Sequence, residues 1–179
     1  MTEFKEISGK YFKIVDNLLT NNECKEFITL LDNKLETVDR GMAIYDRSIM
    51  KSQEWADKIY QRVYNLIPKN LQKDFGINNH FRFAKYHKNG HFDLHQDGFN
   101  QDERGRRTIY TINIFLNSEF KGGETDFLYD DKTTLAFRAV PKAGRGAIFD
   151  RNIWHRGNYV DNLENVECYK YLLRTDVVV

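Results

Sequence analysis

The sequence has few cysteines and no long apolar segment. Cys24 and Cys168 are the only two cysteines among 179 residues. A disulfide framework is therefore not expected, and both are predicted to be small buried side chains. No apolar run approaches the ~18 residues needed to span a bilayer, and the segment MTEFKEISGK is not typical of a signal peptide. These absences predict an intracellular, cytoplasmic protein that makes no membrane contact.

An excess of charge of either sign is also absent. The 27 basic and 26 acidic residues leave a net charge of +1, which gives no general attraction to nucleic acid, so no nucleic-acid partner is predicted. Internal repeats and low-complexity tracts are lacking as well. With 41% hydrophobic and 14% aromatic residues, the chain is expected to form one domain over residues 1–179. The oligomeric state does not follow from the sequence.

Helical periodicity is confined to the first half of the chain. Thr20 opens a capping box, and the apolar residues behind it recur at helical spacing, which predicts a helix over about 21–33. A second helix is predicted to follow Ser52 and to end near Pro68. Between them, the segment 36–49 has no clear period and is predicted to hold a strand and a mobile loop.

Short β-runs separated by turns dominate the rest of the chain. After a strand at about 11–15, the sequence predicts strands at 81–86, 92–95, 110–116, 125–128, 135–139, 147–150 and 169–177. Helices followed by many antiparallel strands indicate an α+β fold, a double-stranded β-helix or jelly roll with the N-terminal helices packed on its major sheet. The expected division is helical support at about 16–76 and a jelly-roll core at about 80–179.

Three residues form a candidate metal site. His95 and Asp97 are two positions apart in a predicted extended segment, so their side chains leave the same face. His155 ends a later β-run, 58 positions after Asp97. Two histidines and one carboxylate, with other positions left open, are the ligands of mononuclear non-haem iron(II) oxygenases. The remaining histidines lie among Asn, Lys and Gly and are predicted to be solvated loop or strand-edge residues: His80, His87 and His91.

The order of several short motifs resembles the 2-oxoglutarate and iron(II)-dependent oxygenases, most closely their prolyl 4-hydroxylase-like branch. The motifs are YHKNGHFDLHQD at 86–97, TINIFLN at 111–117, GGET at 122–125, VPKAGRGAIF at 140–149, WHRG at 154–157 and KYLLRTDV at 170–177. The resemblance implies that His95, Asp97 and His155 bind iron(II), with 2-oxoglutarate and dioxygen as cosubstrates and ascorbate in support.

The same resemblance implies which residues bind 2-oxoglutarate. A basic residue on the strand after the distal histidine is expected to pair with the far (C5) carboxylate of the cosubstrate; Lys170 matches that position, and Arg174, on the same strand face, is the alternative. Tyr86 is expected either to contact this carboxylate or to close the barrel as an aromatic. Thr111 and Asn113 are expected to line the adjacent wall.

The implied activity is oxidative decarboxylation of 2-oxoglutarate coupled to hydroxylation of a substrate C–H bond. The predicted substrate is a prolyl or other residue of a protein or peptide, because the irregular segments 36–49 and 98–107 are expected to flank the mouth of the barrel. Two alternatives stay open: a hydroxylase of amino acids or other small metabolites, and a non-catalytic metal-binding jelly-roll module. Succinate formation separates the last of these from an oxygenase.

Overall fold

The computed structural model describes residues 2–39, 41–164 and 166–179. The helices are α1 (Asn21–Leu31) and α2 (Gln53–Val63), followed by 3-10 turns at Asp32–Lys34 and Tyr64–Leu66 respectively. The strands are β1 (Thr2–Ile7), β2 (Lys10–Val15), β3 (Glu36–Asp39), β4 (Ala43–Lys51), β5 (Gly76–Ile77), β6 (His80–Tyr86), β7 (His91–His95), β8 (Thr108–Phe115), β9 (Lys121–Gly122), β10 (Thr125–Leu128), β11 (Leu135–Ala139), β12 (Gly146–Asp150), β13 (Trp154–Gly157), β14 (Val160–Asp161) and β15 (Lys170–Val178). No helix in these ranges is long and apolar enough to cross a membrane.

Both helices begin at side-chain caps that the sequence encodes. The Thr20 hydroxyl accepts from the Glu23 amide while the Glu23 carboxylate accepts from the Thr20 amide, which completes the predicted capping box. The Ser52 hydroxyl accepts from the Trp55 amide at the start of α2. An ion pair between Arg62 and Glu23, 2.7 Å long, joins the two helices. The helical predictions are thus confirmed to within a few residues.

All of these strands except β9 and β14, which pair with each other, form one antiparallel sheet that folds over on itself. Its order is β1-β2-β12-β8-β15-β6-β4-β7-β13-β10-β11, with β3 beside β4 and β5 beside β15. Strand β4 pairs with β6 through its second half and with β7 through Ala43 and Ile44. The sheet therefore turns a corner at β4, and strands β7, β13, β10 and β11 form a second wall of the jelly roll.

The first wall of the jelly roll consists of strands β1, β2, β12, β8, β15, β6 and β4, and its two faces pack against two different hydrophobic cores. One face packs against α1 and α2, where Phe27, Trp55 and Ile59 meet Phe81 and Phe83 of β6. The opposite face looks into the roll. There Phe12 of β2 and Phe149 of β12 lie 4.7 Å and 4.9 Å from the ring of Phe127 on the second wall. The predicted jelly roll with helices on its major sheet is confirmed.

Two expectations for the first half of the chain are wrong. The strand expected within 36–49 is confirmed, but in place of the expected loop a second strand is present: β3 and β4 pair with each other, and β4 lies between β6 and β7. Strands β1 and β2 also extend the sheet, so the jelly-roll core does not begin near residue 80. The β1–β2 turn has positive φ at Ser8 and Gly9, as a tight hairpin requires.

Candidate active site

His95, Asp97 and His155 come together inside the roll. His95 ends β7 and lies directly opposite His155 of β13 in the antiparallel register, which brings the two imidazoles to the same face. Asp97 lies two residues beyond the end of β7. One ligand atom from each of the three residues lies within 4.8 Å of the others. His95 is half-buried, whereas Asp97 and His155 are buried.

Backbone carbonyls set the orientation of both imidazoles. The Nδ1 atom of His95 lies 2.7 Å from the carbonyl oxygen of Asp93, and that of His155 lies 3.0 Å from the carbonyl oxygen of Ile153. A carbonyl only accepts, so each Nδ1 carries the proton and each Nε2 has a free lone pair. Burial lowers the pKa of His95 to about 4 and also lowers the pKa of His155. Both rings are therefore neutral at pH 7, the form that binds a metal.

Two neighbours hold the Asp97 carboxylate. The Thr111 hydroxyl donates to Oδ2 at 2.6 Å, and the Arg174 guanidinium donates to Oδ1. Burial alone would raise the pKa of Asp97, but Arg174 and the neighbouring His155 outweigh it and keep that pKa below its usual range. The hydroxyl of Thr111 is thus engaged by Asp97, and its expected place on the cosubstrate wall stays a prediction.

The triad opens into a cavity whose wall is one face of the sheet. In β15 the alternating residues Lys170, Leu172 and Arg174 line it. Their sheet partners Tyr86, Ala84 and Arg82 on β6 do the same. The next strand, β4, contributes Tyr45, Arg47 and Ile49.

Lys170 is the most unusual residue of this cavity. The side chain is 1% exposed, and its ammonium group has no ion pair or hydrogen bond with any residue of the described ranges. Its Nζ lies 4.9 Å from the ring centre of Tyr86 and 5.5 Å from that of Phe115. Burial lowers the pKa of Lys170 to about 7, with the charge of Glu124 acting in the opposite direction. A buried cation without a partner is costly unless an anion joins it.

Gly123 makes room for this lysine. It has a φ of +67°, and a Cβ there would lie 3.1 Å from Lys170 Cδ and 2.8 Å from Phe120 Cε2. Such a contact is too tight for either neighbour. The glycine pair before β10 therefore both forms the turn and leaves the space through which the Lys170 side chain passes.

The other residues predicted to bind 2-oxoglutarate have different surroundings. Tyr86 is buried and stacks on Tyr45 at 5.3 Å, which fits the barrel-closing interpretation. Asn113 lines the cavity, and its Oδ1 is buried without a hydrogen-bond partner in the part of the chain that the structure describes. Arg174 reaches the cavity but is engaged by Asp97 and Asp176.

Sequence reasoning missed several residues of this site. Thr125, buried on β10, and Arg47 and Arg82 also line the cavity. The β4 contribution had no clear signal in the sequence, because Arg47 interrupts the apolar residues on that face. His91, expected to be solvated, is 8% exposed and its ring lies 4.3 Å from that of Tyr159.

The arrangement fits iron(II) and a dicarboxylate. The triad offers two imidazole nitrogens and one carboxylate without a thiolate, a ligand set that suits iron and leaves positions open toward the cavity. Backbone and side-chain hydrogen bonds already orient all three ligands. Lys170 adds a buried cationic side chain without a partner in the described ranges, whose charge a carboxylate would neutralise.

A jelly roll that holds such a triad defines a class of non-haem metal oxygenase, and comparison with known proteins identifies the family. The model of the 2OG-Fe(II) oxygenase superfamily matches residues 81–172, just over half of the chain. The protein therefore belongs to this superfamily, and the predicted cofactors, iron(II) and 2-oxoglutarate, are confirmed. The supporting role of ascorbate stays a prediction.

Relatives place the chain near prolyl hydroxylases, as the sequence motifs predicted. A mimivirus protein (Acanthamoeba polyphaga mimivirus) named "Putative prolyl 4-hydroxylase" is 24% identical over 160 residues, which are 82% of this chain and 64% of that protein. The chain thus covers less than two thirds of that relative's length.

Solved structures agree on the fold. The viral collagen prolyl hydroxylase of Paramecium bursaria Chlorella virus-1, in its 2-oxoglutarate complex, has a TM-score of 0.69 at 19% identity, covering 98% of this chain and 99% of that one. A Pseudomonas putida prolyl-4-hydroxylase has a TM-score of 0.66 at 13% identity, covering 93% and 91%. At these identities the similarity establishes the shared jelly roll.

Proposed function

We propose that this protein hydroxylates a C–H bond in a prolyl or other residue of a protein or peptide, with 2-oxoglutarate as cosubstrate. The observation that carries this proposal is the meeting of the His95, Asp97 and His155 triad with the unpaired cation of Lys170 in one cavity. A non-catalytic metal module would have no use for a buried, unpartnered ammonium group at that place.

The chemistry comes from the bound group and the geometry from the chain. Iron(II) and 2-oxoglutarate, when bound, would supply the oxidising power for hydroxylation, with one atom of dioxygen going to the product hydroxyl, the other to succinate, and carbon dioxide released. His95, Asp97 and His155 hold the metal in one orientation, and Arg174 and Thr111 keep the carboxylate aligned.

Other side chains position the cosubstrate and keep the site dry. Lys170 pairs with the far carboxylate of 2-oxoglutarate, and the Asn113 amide adds a polar group beside it. Leu172 and Phe92 form apolar walls, and Phe92 stacks on His95 with ring centres 3.9 Å apart. These contacts restrain the imidazole and exclude water from the reacting centre.

The open side of the cavity favours an extended substrate. Ile49 and Arg82 line both the triad cavity and a neighbouring depression whose other wall includes Asn100, Gln101 and Glu103. A cleft therefore continues beyond the cavity, between β4 and the segment that follows Asp97. A peptide in extended conformation suits such a cleft, since part of it can enter the cavity while flanking residues lie along the surface. The prolyl hydroxylases among the relatives support the same substrate class.

The test is hydroxylation of peptides. Purified protein is incubated with iron(II), ascorbate, 2-oxoglutarate and a library of proline-containing peptides, and products are analysed by mass spectrometry. We expect a mass increase of about 16 Da and one succinate per hydroxylated peptide. Asp97→Ala serves as the inactive control, and Lys58→Gln, which changes an exposed helix residue, should behave like the wild type.

The possible outcomes distinguish an error in the proposed substrate from an error in the proposed reaction. Turnover of 2-oxoglutarate that responds to free amino acids or metabolites, but to no peptide or protein extract, would contradict the peptide substrate. Absence of succinate under all conditions, with metal and 2-oxoglutarate bound, would contradict the hydroxylase function itself.

A further inference from the structure

The cavity carries more positive charge than its cofactors need. Its lining includes four cationic side chains and a single carboxylate, that of Asp97. Their exposure increases from one side of the cavity to the other: Lys170 is 1% exposed, whereas the Arg82 side chain is 36% exposed. Lys170 therefore marks the inner end, and Arg82 together with its neighbour Arg47 marks the mouth.

Two of the cations have carboxylate partners, and a third has an assigned ligand. Arg174 donates to Asp97 and also reaches Asp176, 3.3 Å away. Arg82 donates to the other oxygen of Asp176 at 3.1 Å. Lys170 is assigned to 2-oxoglutarate under the proposed function. These contacts use both buried carboxylates near the cavity.

Arg47 is left without a counterion. Among the residues that the structure describes, none forms a hydrogen bond or an ion pair with its guanidinium. Glu36 stands opposite it in the β3–β4 register but makes no ion pair with it. Beyond Arg47 on this face, β4 places Ile49, which is apolar and 58% exposed, and then Lys51, which pairs with Glu103.

Binding of iron(II) and 2-oxoglutarate would not remove this excess of positive charge. The charges of iron(II), Asp97, 2-oxoglutarate and Lys170 cancel. Three arginines set against Asp176 then leave a net positive charge facing the substrate. A field of this sign, focused in a cleft, attracts and orients an anionic ligand.

The register brings two of these arginines together. Arg47 pairs with Ala84, and Arg82 lies two residues from Ala84 on the same face of β6, so the arginines are diagonal neighbours on adjacent strands. Diagonal side chains at ~7–8 Å are within reach of one shared group for residues of this length. The guanidinium group binds a carboxylate through paired N–H donors, so two long arginine side chains that reach one point suit a shared carboxylate.

We propose that the substrate carries a carboxylate close to the hydroxylated carbon, and that Arg47, assisted by Arg82, binds it at the mouth of the cavity. The inference rests on the proposed function and narrows its substrate class. The carboxylate has two sources with the same chemistry, an Asp or Glu side chain within a peptide or a free acidic amino acid.

The experiment measures binding to the loaded protein with turnover prevented. Protein containing Mn(II) and 2-oxoglutarate is immobilised and presented with a random-sequence peptide library in one arm. In the other arm it is presented with free aspartate and glutamate against asparagine and glutamine. The variants are Arg47→Gln, Arg47→Lys and Arg47→Glu, with Lys58→Gln as a matched loss of positive charge far from the cavity.

We expect wild-type protein to enrich Asp or Glu at a fixed position of the bound peptides. Arg47→Gln should weaken binding of these ligands by about 10- to 100-fold, the range for a charge-assisted hydrogen bond. Arg47→Lys should retain part of the preference for acidic residues, and Arg47→Glu should instead enrich peptides that carry Lys or Arg. Lys58→Gln should leave it unchanged.

Three results would overturn the inference: no enrichment of acidic residues by the wild type, an acidic preference that survives in Arg47→Gln, or no retention of any ligand in either arm. Binding of free acidic amino acids without any peptide would keep the carboxylate site and remove the peptide substrate. Enrichment of peptides that share no acidic residue would remove the carboxylate site and keep the peptide substrate.

Discussion

Replacing Lys170 by methionine removes the buried ammonium group while keeping most of the side-chain volume. The wild-type lysine is 1% exposed and has no partner in the described ranges other than the proposed cosubstrate. Loss of a buried charge-assisted contact costs about 2–5 kcal/mol. With about 1.4 kcal/mol for each factor of ten, the dissociation constant of 2-oxoglutarate should rise by roughly 30-fold to several thousand-fold.

The same substitution should stabilise the protein in the absence of ligand. Burial lowers the pKa of Lys170 from its ordinary value to about 7, so between pH 7 and the ordinary pKa of lysine the unfolded chain binds the extra proton. The free energy of unfolding of the wild type should therefore rise as the pH increases through this window. Below the window, it should be reduced by the full cost of burying the charged ammonium group. Lys170→Met should be more stable by a few kcal/mol near pH 6 and should lack this rise.

Two assays separate the effects. Calorimetric titration of the Mn(II)-loaded protein gives the affinity for 2-oxoglutarate, and thermal unfolding of ligand-free protein between pH 6 and pH 9 gives the stability. Lys58→Gln is the control in both. An unchanged affinity in Lys170→Met, with a large loss in Arg174→Met at unchanged metal affinity, would refute the assignment of Lys170 and exchange the two roles.

Further substitutions test the remaining parts of the site. Asp97→Ala should abolish turnover and strongly reduce iron affinity while circular dichroism shows an intact fold, and full turnover would remove Asp97 from the ligand set. Thr111→Val should reduce iron affinity by about 10- to 100-fold because the hydrogen bond that orients Asp97 is lost, whereas Thr111→Ser should retain it. Gly123→Ala should destabilise the protein by about 1–3 kcal/mol and weaken 2-oxoglutarate binding, since the added Cβ collides with Phe120 and Lys170; wild-type affinity would contradict the role of this glycine. Thr20→Ala should cost about 1 kcal/mol in urea unfolding and leave 2-oxoglutarate affinity unchanged, since the capping box is remote from the cavity.

Local signals in the sequence were sufficient for the helices and most core strands. The predicted 125–128 and 135–139 strands agree with β10 and β11, because each is a short β-run bounded by turn residues. The triad was predictable for a similar reason. His95 and Asp97 are two positions apart in an extended segment, and His155 follows the predicted β12 run after a short turn, although its own strand β13 was not predicted.

Features that depend on tertiary contacts could not be predicted from the sequence in the same way. Strand β4 has polar residues on its inner face, such as Arg47, because that face lines a polar cavity, so its hydrophobic alternation is lost. Thr111 has the right position for a cavity residue, yet its hydroxyl turns to Asp97, 14 residues away. The sequence likewise contains no sign that Arg174 is already paired with that aspartate while Lys170 is not.

The most direct test is the structure of the protein with Mn(II) in place of iron and with 2-oxoglutarate bound. We expect the metal to be held by the Nε2 atoms of His95 and His155 and by the Asp97 carboxylate, and the far carboxylate of 2-oxoglutarate to lie within hydrogen-bonding distance of Lys170 Nζ. A metal bound elsewhere, or a 2-oxoglutarate carboxylate paired with Arg174 while Lys170 stays unpartnered, would contradict this account of the active site.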